Sequence, residues 1–188
     1  MTVTINGNGT ITPTSAIQAT GSILQVVATN VTSTSSVSIA ADGSLSNTPC
    51  TVNITSTLAN SKFLISATIN GEGSGVDYEI GFIMRRVIGG SATNINIGDS
   101  SGSRIPLTTI AMSPYYEVDQ SSTPHTNNFT PYLDSPNQSA GTTITYNIGV
   151  KNTGGNSLTY YFGRSVSDLS GLSYERLPQH ITVMEVAG

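Results

Sequence analysis

Two apolar runs in the middle of the chain repeat with a period of two, and they constrain the fold more than any other feature. Residues 62–70 carry an apolar side chain at every second position: Phe63, Ile65, Ala67 and Ile69. The alternation continues in residues 76–90, after a five-residue segment rich in glycine, 71–75. A period of two is typical of strands with one buried face, and a short glycine-rich connection favours a tight turn. The sequence therefore predicts a β-hairpin over residues 62–90.

Similar short runs recur along most of the chain. Strands are predicted at residues 23–28, 31–41, 49–58, 92–98, 104–112, 142–150, 158–162 and 180–186. The expected inward side chains on three of them are Val37 and Ile39, then Cys50, Val52 and Ile54, and then Ile144, Tyr146, Ile148 and Val150. The turn Asn152-Thr-Gly-Gly-Asn156 predicts that residues 158–162 pair back onto 142–150. One helical turn is expected near residues 168–172.

Many short strands without an amphipathic helix indicate an all-β fold. The chain has no tryptophan and a single cysteine, so the markers of an immunoglobulin-like sandwich are missing. An antiparallel, jelly-roll-like β-sandwich is therefore expected, and residues 22–188 are assigned to it.

Residues 1–21 are predicted to form a separate N-terminal hairpin and linker. Val3, Ile5 and Ile11 alternate with polar residues around Asn6-Gly7-Asn8-Gly9, a strong turn signal. Because an isolated hairpin is marginal in water, this segment is expected to dock on the same domain, on a sister subunit or on a larger assembly. It lacks the basic and long apolar regions of a signal peptide.

The charge distribution limits the classes of binding partner that are expected. Only 10% of residues are charged, the net charge is −4, and nothing before Asp42 carries a charge. Nucleic acid is an unexpected partner because its binding needs a basic surface, and no apolar run is long enough for a membrane span. A long uncharged β surface tends to pair with other chains. We therefore expect an oligomer.

The residues that could carry chemistry form no convincing catalytic or metal-binding pattern. The segment Gly98-Asp-Ser-Ser-Gly-Ser-Arg104 resembles a nucleophile turn, but a triad also needs an oriented histidine, and His125 and His180 lack flanking motifs. The acidic residues are scattered without metal-ligand spacing. Cys50 is alone and is expected to be a buried structural thiol. No catalytic residue, metal or cofactor is predicted.

Residues 113–136 are predicted to form a long loop, which in a compact domain is often functional. Its aromatic and histidine residues are candidates for recognition: Tyr115, Tyr116, His125, Phe129 and Tyr132. They either contact a sugar or protein surface or pin the loop onto the sandwich.

Arg85 and Arg86 are neighbours on a predicted strand and should point to opposite faces. One of them is expected to meet a buried acid or a subunit interface, because an unpaired charge is costly to bury.

A series of short motifs resembles a domain found in structural proteins of tailed phages, especially those of cyanobacteria and marine bacteria. The matching pieces are Ile23-Leu-Gln-Val-Val, Ser61-Lys-Phe-Leu-Ile, Arg86, Ile97-Gly-Asp99, Arg104, Tyr132-Leu-Asp-Ser-Pro136, Thr145-Tyr146, Arg164-Ser165 and Ile181-Thr-Val-Met-Glu-Val186. The last and the Leu-Asp-Ser-Pro piece are the more specific. The resemblance covers about residues 22–188.

The resemblance implies a virion component, such as a fibre, spike or adhesin, assembled as a homotrimer. A non-enzymatic knob is then expected to bind host surface polysaccharide or protein and to join other virion proteins through its N-terminal segment. A capsid decoration protein that stabilises the head is an alternative. A glycan-degrading tailspike domain is a weaker one.

Overall fold

The computed structural model describes residues 19–74, 80–111, 123–172 and 174–188. Eleven strands occur in these ranges, and no helix. Their bounds are β1 Ile23–Val31, β2 Ser35–Ile39, β3 Leu45–Thr55, β4 Lys62–Gly73, β5 Ile80–Ile88, β6 Ser91–Ile95, β7 Thr109–Ile110, β8 His125–Asp134, β9 Thr143–Asn152, β10 Leu158–Phe162 and β11 Gln179–Val186.

The strands form two antiparallel sheets. In the first sheet β1, β11, β4 and β8 lie side by side in that order. β10 pairs with the last residues of β4, and β2 pairs with β10. In the second sheet the order is β3-β9-β5-β6, with β7 also paired to β5. The chain crosses between the sheets at β2–β3, β3–β4, β4–β5, β7–β8, β8–β9 and β9–β10, and the first strand pairs with the last. This is the strand order of a jelly roll, so the predicted all-β, jelly-roll-like sandwich is confirmed.

Two predicted hairpins are wrong. β4 belongs to the first sheet and β5 to the second, so residues 62–90 cross between sheets instead of forming a hairpin. β10 likewise pairs with β2 and β4 rather than with β9. Alternation identifies the buried face of a strand, but strands of both sheets bury the same kind of face. The pattern therefore does not identify the neighbouring strand.

The core lies between the sheets and contains the side chains predicted to face inward. Those of β9 are fully buried: Ile144, Tyr146, Ile148 and Val150. Cys50, Val52 and Ile54 of β3 are at most 3% exposed, and Ile39 of β2 is 0% exposed. Aromatic rings join the two sheets, since Phe82 of β5 meets Tyr160 of β10 edge to face with ring centroids 5.5 Å apart. Such contacts add specific geometry to apolar burial.

Two further local predictions are wrong. The strand expected over residues 104–112 is reduced to the two residues of β7, because the preceding segment is a loop that lays Leu107 against the outer side of Gly81. The helical turn expected near residues 168–172 is absent there. Asp168 instead adopts a left-handed backbone with φ of 46°, which a regular helical turn does not allow.

One buried carboxylate fixes the loop between β3 and β4. Glu185 of β11 is 0% exposed and accepts hydrogen bonds from the backbone N–H and hydroxyl of Thr57 at 2.8 and 2.9 Å. Gln25 Nε2 of β1 donates to the same carboxylate at 2.6 Å. Burial raises the pKa of Glu185, but hydrogen bonds from Ser61, Gln25 and Thr57 outweigh it and hold the pKa below its ordinary value.

The N-terminal attachment residues Val3, Ile5 and Ile11 lie outside the described residues. The described chain begins beside the last strand, where Gly21 N–H donates to the carbonyl of Ala187 at 2.8 Å. Residues 19–21 are therefore bonded to the end of the sandwich.

Candidate interaction surface

The outer face of the first sheet carries a continuous line of apolar side chains. The strand register places four residues side by side on neighbouring strands: Val26 of β1, Met184 of β11, Leu64 of β4 and Leu133 of β8. We call this set the apolar row. In a sheet, residues directly opposite one another point to the same face, so the four side chains form one strip across the sheet.

The apolar row is open to solvent at both ends. Val26 is 56% exposed and Leu133 is 47% exposed, whereas Leu64 and Met184 are half-buried between them. A second apolar pair, Ile23 and Val186, lies beside the row, and Ile23 is 60% exposed. Single exposed apolar residues are common, but a contiguous set indicates a contact surface.

The remainder of this outer face is nearly free of charge. The rows beyond the apolar row contain Ala28, Thr182 and Ser66, and then Asn30, His180, Thr68 and Asn128. On these rows of β1, β11, β4 and β8, Lys62 is the charged residue, and it pairs with Val186. Farther along β4, Glu72 lies opposite Tyr161 of β10, and Arg164 lies 4.2 Å from the centre of the Tyr161 ring. A partner therefore meets a neutral surface whose affinity comes from apolar contact and hydrogen bonds rather than from ion pairs.

The outer face of the second sheet is different. Its side chains bond to one another, as in the contact of 3.1 Å between the hydroxyls of Thr55 and Thr143. Thr145 donates to Asn53 at 2.6 Å, and Arg85 donates to Asn47 at 3.3 Å. The outer face of the first sheet has such bonds too, from Thr68 to Asn128 at 2.9 Å and from Thr126 to Asn70 at 2.6 Å, so the feature that sets the first sheet apart is its apolar row.

The predicted recognition residues divide into two groups. Tyr115 and Tyr116 lie outside the described residues. His125, Phe129 and Tyr132 belong to β8, so the predicted long loop over residues 113–136 is wrong over 125–134. These residues are part of a strand because the alternate positions of this segment pack on the core.

All three residues on β8 lie on its core-facing side. Phe129 is 4% exposed, and its ring meets Phe82 edge to face at 5.8 Å. Tyr132 is half-buried and packs against the core, and His125 is half-buried opposite Gly71. This placement favours the interpretation in which these side chains pin the segment to its own sandwich.

The two adjacent arginines point to opposite faces, as predicted. Arg86 Nη1 donates to both carboxylate oxygens of Asp134 on β8, at 2.8 and 3.0 Å, and Asp134 is 3% exposed. The hydroxyl of Tyr146 donates to the same carboxylate at 2.8 Å. Burial and the nearby Asp134 charge raise the pKa of Tyr146, so the phenol stays protonated as a donor. The expected buried acid is thus confirmed.

The serine-rich turn over residues 98–104 and His180 belong to different sheets of the sandwich. The turn over residues 98–104 follows β6 of the second sheet, and Arg104 bonds locally to Ser101. His180 is exposed on the outer face of the first sheet. Cys50 is buried, and burial raises the pKa of its thiol to about 12, which disfavours the reactive thiolate.

Within the described ranges, no group of three or more histidine, cysteine, aspartate or glutamate residues could hold a metal ion. The same part of the chain contains no helix long and apolar enough to cross a membrane.

The apolar row was missed by the sequence analysis, although one signal was available. Leu64 occupies the solvent-facing phase of β4, between Lys62 and Ser66, where a polar residue is expected. Met184 interrupts the polar phase of β11 in the same way. Their alignment with Val26 and Leu133 depends on strand register, which the sequence alone does not provide.

No protein-family model matches the chain, and no curated protein matches it either. Solved structures with a similar fold include the VP2 subviral particle of infectious bursal disease virus, with a TM-score of 0.40 and 10% identity over 88% of this chain. The structure of the Gt strain of the same virus gives a TM-score of 0.39 and 13% identity, also over 88% of this chain. The chain spans 42% and 43% of the length of those chains. Similarity of this degree transfers no residue role.

Proposed function

We propose that the chain is a structural protein of a phage virion, a short trimeric knob that binds the host surface without breaking bonds. The sequence resemblance to structural proteins of tailed phages supports this proposal. The jelly-roll order of the two sheets supports it as well, because this architecture is common in viral capsid and lectin domains.

The observation that carries the proposal is the convergence of the motif residues. Arg86, Asp134 and Tyr146 come from three separate pieces of the resemblance, and they meet in one buried hydrogen-bonded cluster. Glu185, from the closing motif, is the buried acceptor that holds the loop after β3. Pieces scattered along the chain thus serve one architecture, which is what a shared domain requires and a chance match does not.

In this proposal residues 1–21 join the knob to other virion proteins, and residues 22–188 form the exposed body. Tyr115 and Tyr116 remain candidates for contact with host polysaccharide or protein. The aromatic face of such residues stacks on sugars or anchors a protein contact.

Binding of the purified protein to host cells tests the adhesin function. Fluorescently labelled protein should bind cells of a susceptible host, and the double variant Tyr115→Ala/Tyr116→Ala should bind less while retaining the wild-type unfolding midpoint. Equal binding to susceptible and resistant cells would contradict the proposal. Release of oligosaccharide from host polysaccharide would support the glycan-degrading alternative.

A capsid decoration protein is the second candidate, and the neutral outer face of the first sheet favours it. A broad uncharged surface suits lasting contact with capsid subunits. Virions lacking the protein would then lose heat stability but keep adsorption to the host, whereas the knob predicts the reverse. Immunogold labelling of virions places the protein on the head or on the tail.

A further inference from the structure

We infer that a second copy of this chain covers the apolar row. The inference goes beyond the proposed function because it applies whether the protein sits on the head or on the tail. It assigns the outer face of the first sheet to contact between copies, so a decoration protein would have to meet the capsid through another surface, such as the second sheet or residues 1–21.

The near absence of charge around the apolar row indicates that its partner is a second copy of the chain. A partner that buries the apolar row must itself offer a neutral, partly apolar surface, since an unpaired charge pressed against it would be costly. The rows of β1, β11, β4 and β8 from Val186 to His180 have that composition, with Lys62 at their margin. Two such faces can pack together without burying a charged group, and the lysine of each copy can remain at the rim.

The edge strand β1, which contributes Val26 to the apolar row, also indicates that the partner is a second copy of the chain. β1 is the outermost strand on one side of the first sheet, and its nine residues include neither proline nor a charged residue. Proteins usually protect such edges with charge, proline, bulges or short length. The other edge strands show these features: β3 and β8 contain Pro49 and Pro131 and register shifts, and β2 and β6 have five residues each.

β1 also has a register shift, between Ile23 and Gln25, but from Gln25 to Val31 it pairs regularly with β11. Val26, the most exposed residue of the apolar row, lies on this strand. Within the described ranges, the edge of β1 that lacks proline and charge and the apolar row therefore meet on one strand. A neighbouring copy can cover both at once.

The area of the apolar row and the rows beside it limits the affinity expected between two copies. Four strands span about 19 Å, and the rows from Val186 to His180 span about 20 Å, so two copies cover roughly 800 Å² of flat area in total. Specific interfaces start near about 1,000 Å² of accessible surface, and contact along the edge of β1 adds to the face. Association that depends on protein concentration is therefore expected.

Sedimentation velocity of the full chain over a range of concentrations tests the inference. The wild type should associate, and Val26→Lys/Leu133→Lys should weaken association by at least about tenfold because each copy would bury unpaired charge. Ala92→Lys places a single lysine at an exposed position of β6 in the second sheet and should leave association unchanged. Circular dichroism and unfolding midpoints verify that all variants are folded.

A monomeric wild type at every concentration would overturn the inference. Equal loss of association in Val26→Lys/Leu133→Lys and Ala92→Lys would overturn it too, because the contact would then not be specific to the row. A dimer in place of a trimer would support the inference while removing the trimer from the proposed function. If the wild type associates but does not bind host cells, the result would contradict the proposed knob and leave the inference standing.

Discussion

Arg86 and Asp134 join the two sheets of the sandwich, because one guanidinium nitrogen donates to both carboxylate oxygens at 2.8 and 3.0 Å. Arg86 lies on β5 of the second sheet, and Asp134 ends β8 of the first. Tyr146 completes the cluster from β9. A buried ion pair is weak evidence for net stability, but removal of one partner leaves the other without compensation.

Substitution Asp134→Ala should therefore lower the free energy of unfolding by about 3 kcal/mol, since it leaves both Arg86 and the Tyr146 hydroxyl without an acceptor. Urea denaturation at pH 7 measures the loss. The control is Arg176→Ala, which breaks the exposed pair with Asp168 at 2.8 Å and should cost less than about 1 kcal/mol. Similar losses in both variants would mean that the buried cluster stabilises the fold no more than the exposed ion pair does.

Glu185 predicts a dependence of stability on pH. Its pKa in the folded chain lies below the ordinary value of 4.5, so its stabilising effect is present above pH 4.5 and is lost as the pH falls through the folded pKa. Glu185→Gln should cost roughly 2–3 kcal/mol at pH 7, because the amide places N–H groups against the donors of Thr57. Urea denaturation of both proteins at pH 7 and in acid should show that this difference shrinks below pH 4.5. A difference that stays constant down to pH 3 would contradict the assignment.

Gly71 is required by a close approach between strands. A Cβ at this position would meet the carbonyl oxygen of Tyr161 and, at 2.7 Å, the ring of Tyr160. Gly71→Ala should therefore destabilise the fold by about 3 kcal/mol, because a backbone oxygen and a fully buried ring cannot both move away. Gly98→Ala, where nothing lies within 4 Å of the added Cβ, is the matched control and should change the unfolding midpoint little. Thermal unfolding compares the two.

The buried thiol of Cys50 predicts protection from alkylation. The side chain is 1% exposed, and burial raises its pKa to about 12, so little thiolate forms at pH 8. A maleimide should label the native protein slowly and label the urea-unfolded protein quickly, as mass spectrometry can show. Rapid labelling of the native chain at low urea would mean that β3 separates from the core more easily than its packing indicates.

The parts of the fold that depend on local periodicity could be predicted from the sequence. Ile144, Tyr146, Ile148 and Val150 are buried as expected, because alternation alone determines which face of a strand is apolar. Strand partners were not predictable in the same way. The glycine-rich segment after β4 suggested a hairpin, whereas the chain crosses to the other sheet, and the same inward pattern serves both outcomes.

Long-range pairing limited the prediction of the site as well. The sequence indicated that Arg85 or Arg86 would meet an acid, but Asp134 lies 48 residues after Arg86, and only the fold brings them together. The apolar row depends on register across four strands, so no single segment reveals it. Tyr115, Tyr116, Val3, Ile5 and Ile11 lie outside the described residues, and their roles stay predictions.

Removal of residues 1–18 tests the division of the chain into an attachment segment and a body. The cut leaves the hydrogen bond between Gly21 N–H and the Ala187 carbonyl, and the buried hydrophobic residues described for the sandwich all lie after it. The shortened chain should therefore keep its unfolding midpoint and its sedimentation behaviour but fail to join virions assembled in its presence. A cut after residue 22 also removes the contact with Ala187 and should lower the midpoint. Aggregation of the shorter deletion alone would show that residues 1–18 belong to the fold of the body.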